Sequence, residues 1–222
     1  MQSKKYELIS SDKPGLYRVK ALKDFSDIKA GDVGGYVESE HNLSQSGNCW
    51  VYDNAQVYGN ALVYGNAWVC GEAVVHGNAW VYDNARVYGE AQVSNKAQVY
   101  GNAEVFGNAR IYDNAQVSNN AQVYGYALVY GNAWVCGEAK VSKGHVRVCL
   151  YLQQFGHAIT ATDSTVGIGC EVHTWEHWDE HIRDIGIKHG YTEEEIEETK
   201  LFLRVAKTQI DGELQKSKRG GE

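Results

Sequence analysis

From Val51 to Val141 the chain carries an aliphatic residue at every sixth position, sixteen in all, and each is Val except Ile111. Alanine follows four residues later at fifteen consecutive positions, from Ala55 to Ala139, without exception. Between these columns stand Gly, Asp or Asn and then, at most positions, Asn, so the unit reads V-Y-G-N-A-x. A period of six matches neither the roughly 3.6-residue turn of a helix nor the alternation of a strand, so the chain must turn once per unit. In each unit a short extended stretch points the aliphatic side chain inward. The Gly-Asn or Asp-Asn pair then bends the backbone where positive φ is cheap, and Ala fits the inner corner. Three such sides close a triangle of 18 residues, and stacked triangles pair their strands at about 4.8 Å per coil. The pattern predicts a mainly β protein built on a triangular parallel β-solenoid.

The phase can be followed upstream. Val33 and Val37 lie 18 residues before Val51 and Ala55, and Leu43 and Cys49 fall at the Ala position of the next two units, although Ser39 and Gln45 replace the aliphatic residue. This places the first coil at Val33 and predicts about six coils over residues 33–142, a stack of roughly 29 Å. Both ends of a solenoid need covers. At the N-terminus (residues 1–32), Tyr6-Glu7-Leu8-Ile9 and Leu16-Tyr17-Arg18-Val19 flank Asp12-Lys13-Pro14-Gly15, a β-hairpin cap. Beyond the repeats, Val146, Val148, Leu150 and Leu152 alternate as a strand and Ile159 to Ile168 is β-like, giving a β-rich transition over 143–172. A two-helix module is predicted over 173–214. Its first helix runs from Thr174 to His189 with Gly190 as stop, and its second opens at Thr192, with Glu195 completing a capping box, and continues to Ile210. Residues 215–222 read as a disordered tail.

Composition narrows the class. Hydrophobic residues make up 43% of 222 positions, enough for a packed core. No run of about 18 apolar residues is present and no apolar stretch follows Met1-Gln2-Ser3-Lys4-Lys5, so a cytoplasmic protein without a membrane segment is expected. Five Cys without framework spacing fit a reducing compartment. The net charge is −7, and residues 171–200, with ten acidic and three basic side chains, supply all of it. That balance disfavours a nucleic-acid partner. The run Glu193, Glu194, Glu195, Glu197 and Glu198 is either a solvated helix face or an acidic surface for a partner.

Residues flanking each inward aliphatic face outward, and the 18-residue period sorts them into three faces. One carries Trp50 and Trp68, another Tyr64, Trp80, Tyr82, Tyr100 and Trp134. Stacked aromatic columns either shield the sheet or form an oligomer or partner interface, which predicts a homotrimer or dimer. The repeats from Val51 to Lys140 hold no loop insertion and one histidine, His76. The densest chemical cluster is Cys170, His173, His177 and His181. His177 and His181 are four apart on a helix, so these residues can be read as a closed, structural zinc site, or as a docking helix with histidines around its rim. Apart from such a zinc no cofactor is expected. His157, Asp163 and Ser164 lie close in sequence but lack a nucleophile-elbow context.

The unit resembles the left-handed hexapeptide-repeat β-helix, [LIV]-x-x-x-[STAV]-x, and the left hand is implied by that resemblance alone. Those proteins are best known as acyltransferases with a catalytic His near a subunit interface and coenzyme A along the prism, or as γ-type carbonic anhydrases with three His around zinc. His76 alone satisfies neither. The string D-F-S-D-I-K-A-G-D-V-G-G-Y-V from Asp24, followed by L-S-Q-S-G-N-C-W-V-Y-D, resembles the N-terminal segment of YdcK-type hexapeptide-repeat proteins, and G-I-G-C-E-V-H-T-W-E-H-W resembles a module of their phage members. The resemblance supplies no catalytic residue. It implies a phage or prophage protein of the bacterial cytoplasm that binds a host protein, without enzymatic activity, as a scaffold or counter-defence inhibitor. The alternative is an acyltransferase-like or metal-dependent enzyme with an intersubunit site.

Overall fold

A computed structural model describes residues 4–146, 149–154, 157–169 and 171–219. The six-residue period becomes a prism of two-residue strands, about six coils deep, whose parallel ladders run through three sheets of nine, six and five strands, the largest including the antiparallel strands of the N-terminal cap. Successive coils are in register 18 residues apart, as in Gln98↔Gln116 and Val99↔Val117. The ladder is regular: Gln98 N–H donates to the Ala115 carbonyl and Tyr100 N–H to the Val117 carbonyl, both at 2.9 Å. Every Val and Ala of the two columns is buried, so the prism has a single apolar axis.

The corners explain the Gly/Asp/Asn position. Asp83 occupies it with φ of 56°, a left-handed conformation that a branched side chain resists. Its carboxylate accepts from Gly101 N–H in the coil above at 3.2 Å, so an aspartate there replaces glycine's freedom with a hydrogen bond. Asp83→Val is expected to lower the unfolding free energy by about 1–3 kcal/mol and Asp83→Gly by much less, read by urea denaturation; equal losses would remove the conformational argument.

The N-terminal cap continues the nine-stranded sheet. Strand Tyr6–Ile9 pairs antiparallel with Tyr17–Ala21, which pairs antiparallel with Val33–Val37. That third strand then pairs parallel with Gln56–Val57. The coil phase differs here from the sequence expectation. Val37, not Val33, aligns with the inward column through Val57, and Leu43 aligns with Val63. Val33 is 53% exposed while Val37 is fully buried. Two extra residues between Leu43 and Val51 restore the regular phase, and Cys49 sits in the Ala column as expected. The two glycines of Val33-Gly34-Gly35 permit this crossing, because a side chain on Gly34 would run into the Val51 carbonyl oxygen and the Trp50 indole.

At the other end the strands Cys149–Gln154, His157–Thr162, Thr165–Ile168 and Glu171–Thr174 form an antiparallel four-stranded sheet. Two helices follow, α1 (Trp175–Lys188) and α2 (Glu193–Arg219). Thr174 caps α1 by accepting from His177 N–H at 3.3 Å. Thr192 and Glu195 form the expected capping box, with Thr192 N–H donating to Glu195 Oε2 at 2.8 Å and Glu195 N–H to Thr192 Oγ1 at 3.3 Å. α2 runs beyond Ile210 through most of the segment read as tail, since Leu214 packs on the module core and Gln215 and Lys216 are good helix formers. Residues 220–222 lie outside the described residues. The module has its own core, with Trp175, Trp178 and Ile182 of α1 and Leu203, Ala206 and Ile210 of α2 against Ile159 and Val166 of the sheet.

Candidate functional site

On the five-stranded face Tyr64, Tyr82 and Tyr100 stack with centroids 4.9 and 5.0 Å apart and planes within 5°. Trp80 and Trp134 on that face are 44% and 53% exposed. The six-stranded face stacks Tyr88, Phe106 and Tyr124 at 4.8 and 5.0 Å. Trp68 there is half-buried, edge-on to Tyr52 and beneath the Arg86 guanidinium at 5.0 Å. Trp50 does not join this surface. It is 1% exposed, covered by Tyr6 and Phe25 of the cap at 6.2 and 5.3 Å, and so is a core residue, not an interface one. His76 stacks on Tyr58 at 5.1 Å, and burial lowers its pKa. Among the described residues no carboxylate is bonded to its ring.

The C-terminal cluster is a ladder. His173, at the end of the sheet, stacks on His177 at 4.1 Å, and His177 on His181 at 4.3 Å along α1. Stacked rings lie side by side, and two of the nitrogens are already engaged: His173 Nε2 with Glu171 at 3.1 Å and His181 Nδ1 with the His177 carbonyl at 3.1 Å. Among the described residues no group of three or more Cys, His, Asp or Glu side chains is arranged to hold a metal ion. Cys170, the fourth member of the expected zinc set, lies outside the described residues. Glu171 is the hub instead. Its carboxylate accepts from His189 at 3.0 Å and His173 at 3.1 Å and lies 3.5 Å from Lys188. Those bonds hold its pKa down at about 2.

Glu171 and His189 lie on the wall of a cleft of about 630 Å³ between the last coil and the module. Tyr124, Glu138 and Lys140 form the solenoid side, while Ile168, Trp178, Ile182 and Ile196 provide an apolar floor. Asp163 and Ser164 lie on the turn that precedes Thr165, and Ser164 Oγ is buried without a hydrogen-bond partner among the described residues. The side chain of His157 lies outside the described residues. In the acidic run, Glu193 pairs with Arg183 at 2.6 Å, Glu195 caps α2 and Glu197 pairs with Lys200 at 2.7 Å. Part of the expected acidic surface is therefore committed within the module.

The YdcK β-solenoid repeat matches residues 55–71, 79–95, 109–125 and 121–137. Over those residues the coils are similar to YdcK-type repeats. A segment of 38 residues is 47% identical to a protein of Escherichia coli (strain K12) named uncharacterized acetyltransferase YdcK. It covers 17% of this chain and 12% of that relative, so the chain spans only a small part of that relative's length. Of the cleft's solenoid wall, Tyr124 falls within the matched repeats, whereas Glu138, Lys140, Glu171 and the histidine ladder lie beyond them. Sequence reasoning missed Glu171 and His189 as partners. Glu171 and His173, two apart on one strand, share a face and were detectable; His189 reaches them only through the length of α1.

Proposed function

We propose that the protein is a non-enzymatic binding or scaffold protein acting by protein–protein interaction. The observation that carries this reading is the uninterrupted prism. No loop leaves the coils between Trp50 and Val141, so their outer surface consists of flat aromatic faces without a clasp for a coenzyme. In this reading the solenoid is a rigid platform, and the exposed helices of the module, with Glu194 and Glu198 on α2, present the acidic surface to a partner. A phage or prophage origin, with a host defence protein as the partner in the bacterial cytoplasm, is the most specific form of the proposal and rests on the resemblance in sequence.

The second reading is an acyltransferase-like enzyme, favoured by the relative's name and by the cleft beneath the module. Two measurements separate them. Acetyl coenzyme A is expected to leave Tm unchanged, and a host-lysate pull-down is expected to retain a protein that a Glu194→Lys/Glu198→Lys variant releases. A rise in Tm with acetyl coenzyme A and no retained partner reverses the choice.

A further inference from the structure

We propose that the five-stranded face is a self-association surface on which two copies pack antiparallel about a two-fold axis. The axis lies in the interface, along the strands, midway between the coils of Gln98 and Gln116. The proposal rests on the binding reading only in treating the solenoid as an interaction platform.

The outward column at the start of each strand on this face reads Leu62, Trp80, Gln98, Gln116, Trp134. No position in it is charged. The same column of the six-stranded face holds Arg86, Glu104 and Lys140, and that of the nine-stranded face holds Arg110. Depletion of charge with exposed tryptophan is the composition of an interface centre. Trp134 is also held in place, its Nε1 donating to Ser118 Oγ at 2.9 Å.

The order Trp-Gln-Gln-Trp reads the same in both directions. An isologous interface requires that if residue i meets residue j, then j meets i. The two-fold axis described satisfies that at every position of the motif. It sets Trp80 against Trp134 of the partner subunit and Gln98 against Gln116 of the partner subunit. The two tryptophans are three coils apart, about 14 Å, with the glutamines between them. Tyr82 O–H donates to Gln98 Oε1 at 3.3 Å and Tyr100 O–H to Gln116 Oε1 at 3.2 Å. Those bonds fix the two carboxamides by their oxygens. Facing glutamines can therefore exchange N–H···O bonds at little further entropy cost. In the second outward column the same axis places Tyr82 and Tyr100 opposite the smaller Cys136 and Ser118 of the partner subunit. Ser118 is itself 1% exposed, recessed between its neighbours. A parallel pair would instead set Trp80 against Tyr82 of the partner subunit, and a three-fold arrangement would bring unlike faces together; neither uses the symmetry of the motif.

Light scattering on the full chain is expected to give twice the chain mass. Trp80→Glu and Trp134→Lys are each expected to weaken the dimer about tenfold or more, with far-UV circular dichroism unchanged because both side chains are half exposed. The double variant Trp80→Glu/Trp134→Lys places Glu opposite Lys at both ends of an antiparallel pair, so dimerisation returns and becomes salt-sensitive. A monomeric or trimeric wild type, or a double variant as dissociated as the single ones, overturns the proposal. Retention of a lysate partner is read separately: a monomer that still retains it refutes the dimer and leaves the binding reading intact.

Discussion

Trp50→Ala is expected to lower the unfolding free energy by about 3–5 kcal/mol, whereas the same change at Trp80 or Trp134 should cost less than about 1 kcal/mol. All three residues occupy the same outward position of the six-residue unit. The difference is the cap. At Trp50 the hairpin folds over the coil, so the indole is 1% exposed, with Tyr6 and Phe25 edge-on to it. Removing it leaves a void among groups that cannot close in, because Gly34 approaches the Val51 backbone as near as a residue without Cβ allows. The void also loosens the cover of the first coil, whose strand edge would otherwise template another chain. Urea denaturation followed by circular dichroism measures the loss. If Trp50→Ala and Trp80→Ala fall within error of each other, the cap does not carry the energetic role assigned to it.

The aliphatic and Ala columns were legible because each position repeats one physical demand: an inward branched side chain, then a residue small enough for a corner. Thr174 and Thr192 were legible for a local reason too, since a hydroxyl that caps a helix acts within three residues. The phase of the first coil was not. Val33 and Val37 both satisfy the repeat, and the choice between them is made by pairing with Tyr17–Ala21, a contact the local pattern does not contain. Trp50 was misplaced for the same reason, as parity along a strand reports which way a side chain points but not what lies above it. The acidic run was counted correctly as charge, yet Arg183 lies ten residues from Glu193, so its pairing depends on the crossing of α1 and α2. The cleft was invisible, because its walls come from the last coil, the sheet and both helices at once.

Trp178→Ala should unfold the C-terminal module and leave the solenoid standing. The indole is 3% exposed, and its N–H donates to the Val166 carbonyl at 2.8 Å. Truncation removes a buried contact between α1 and the sheet and leaves that carbonyl short of a donor, a loss of about 3–5 kcal/mol. The prism core from Tyr6 to Val146 and the module core from Ile159 to Ile210 are separate clusters, so the damage stays on one side. Coils stabilise one another by nearest-neighbour stacking, and removing a terminal neighbour does not propagate far along such an array. Thermal unfolding of the variant should therefore resolve into an early loss of helical ellipticity and a late β transition at the wild-type temperature. A single transition in which helix and β signals fall together would show the cores to be coupled, and would make the module a structural end cap of the solenoid.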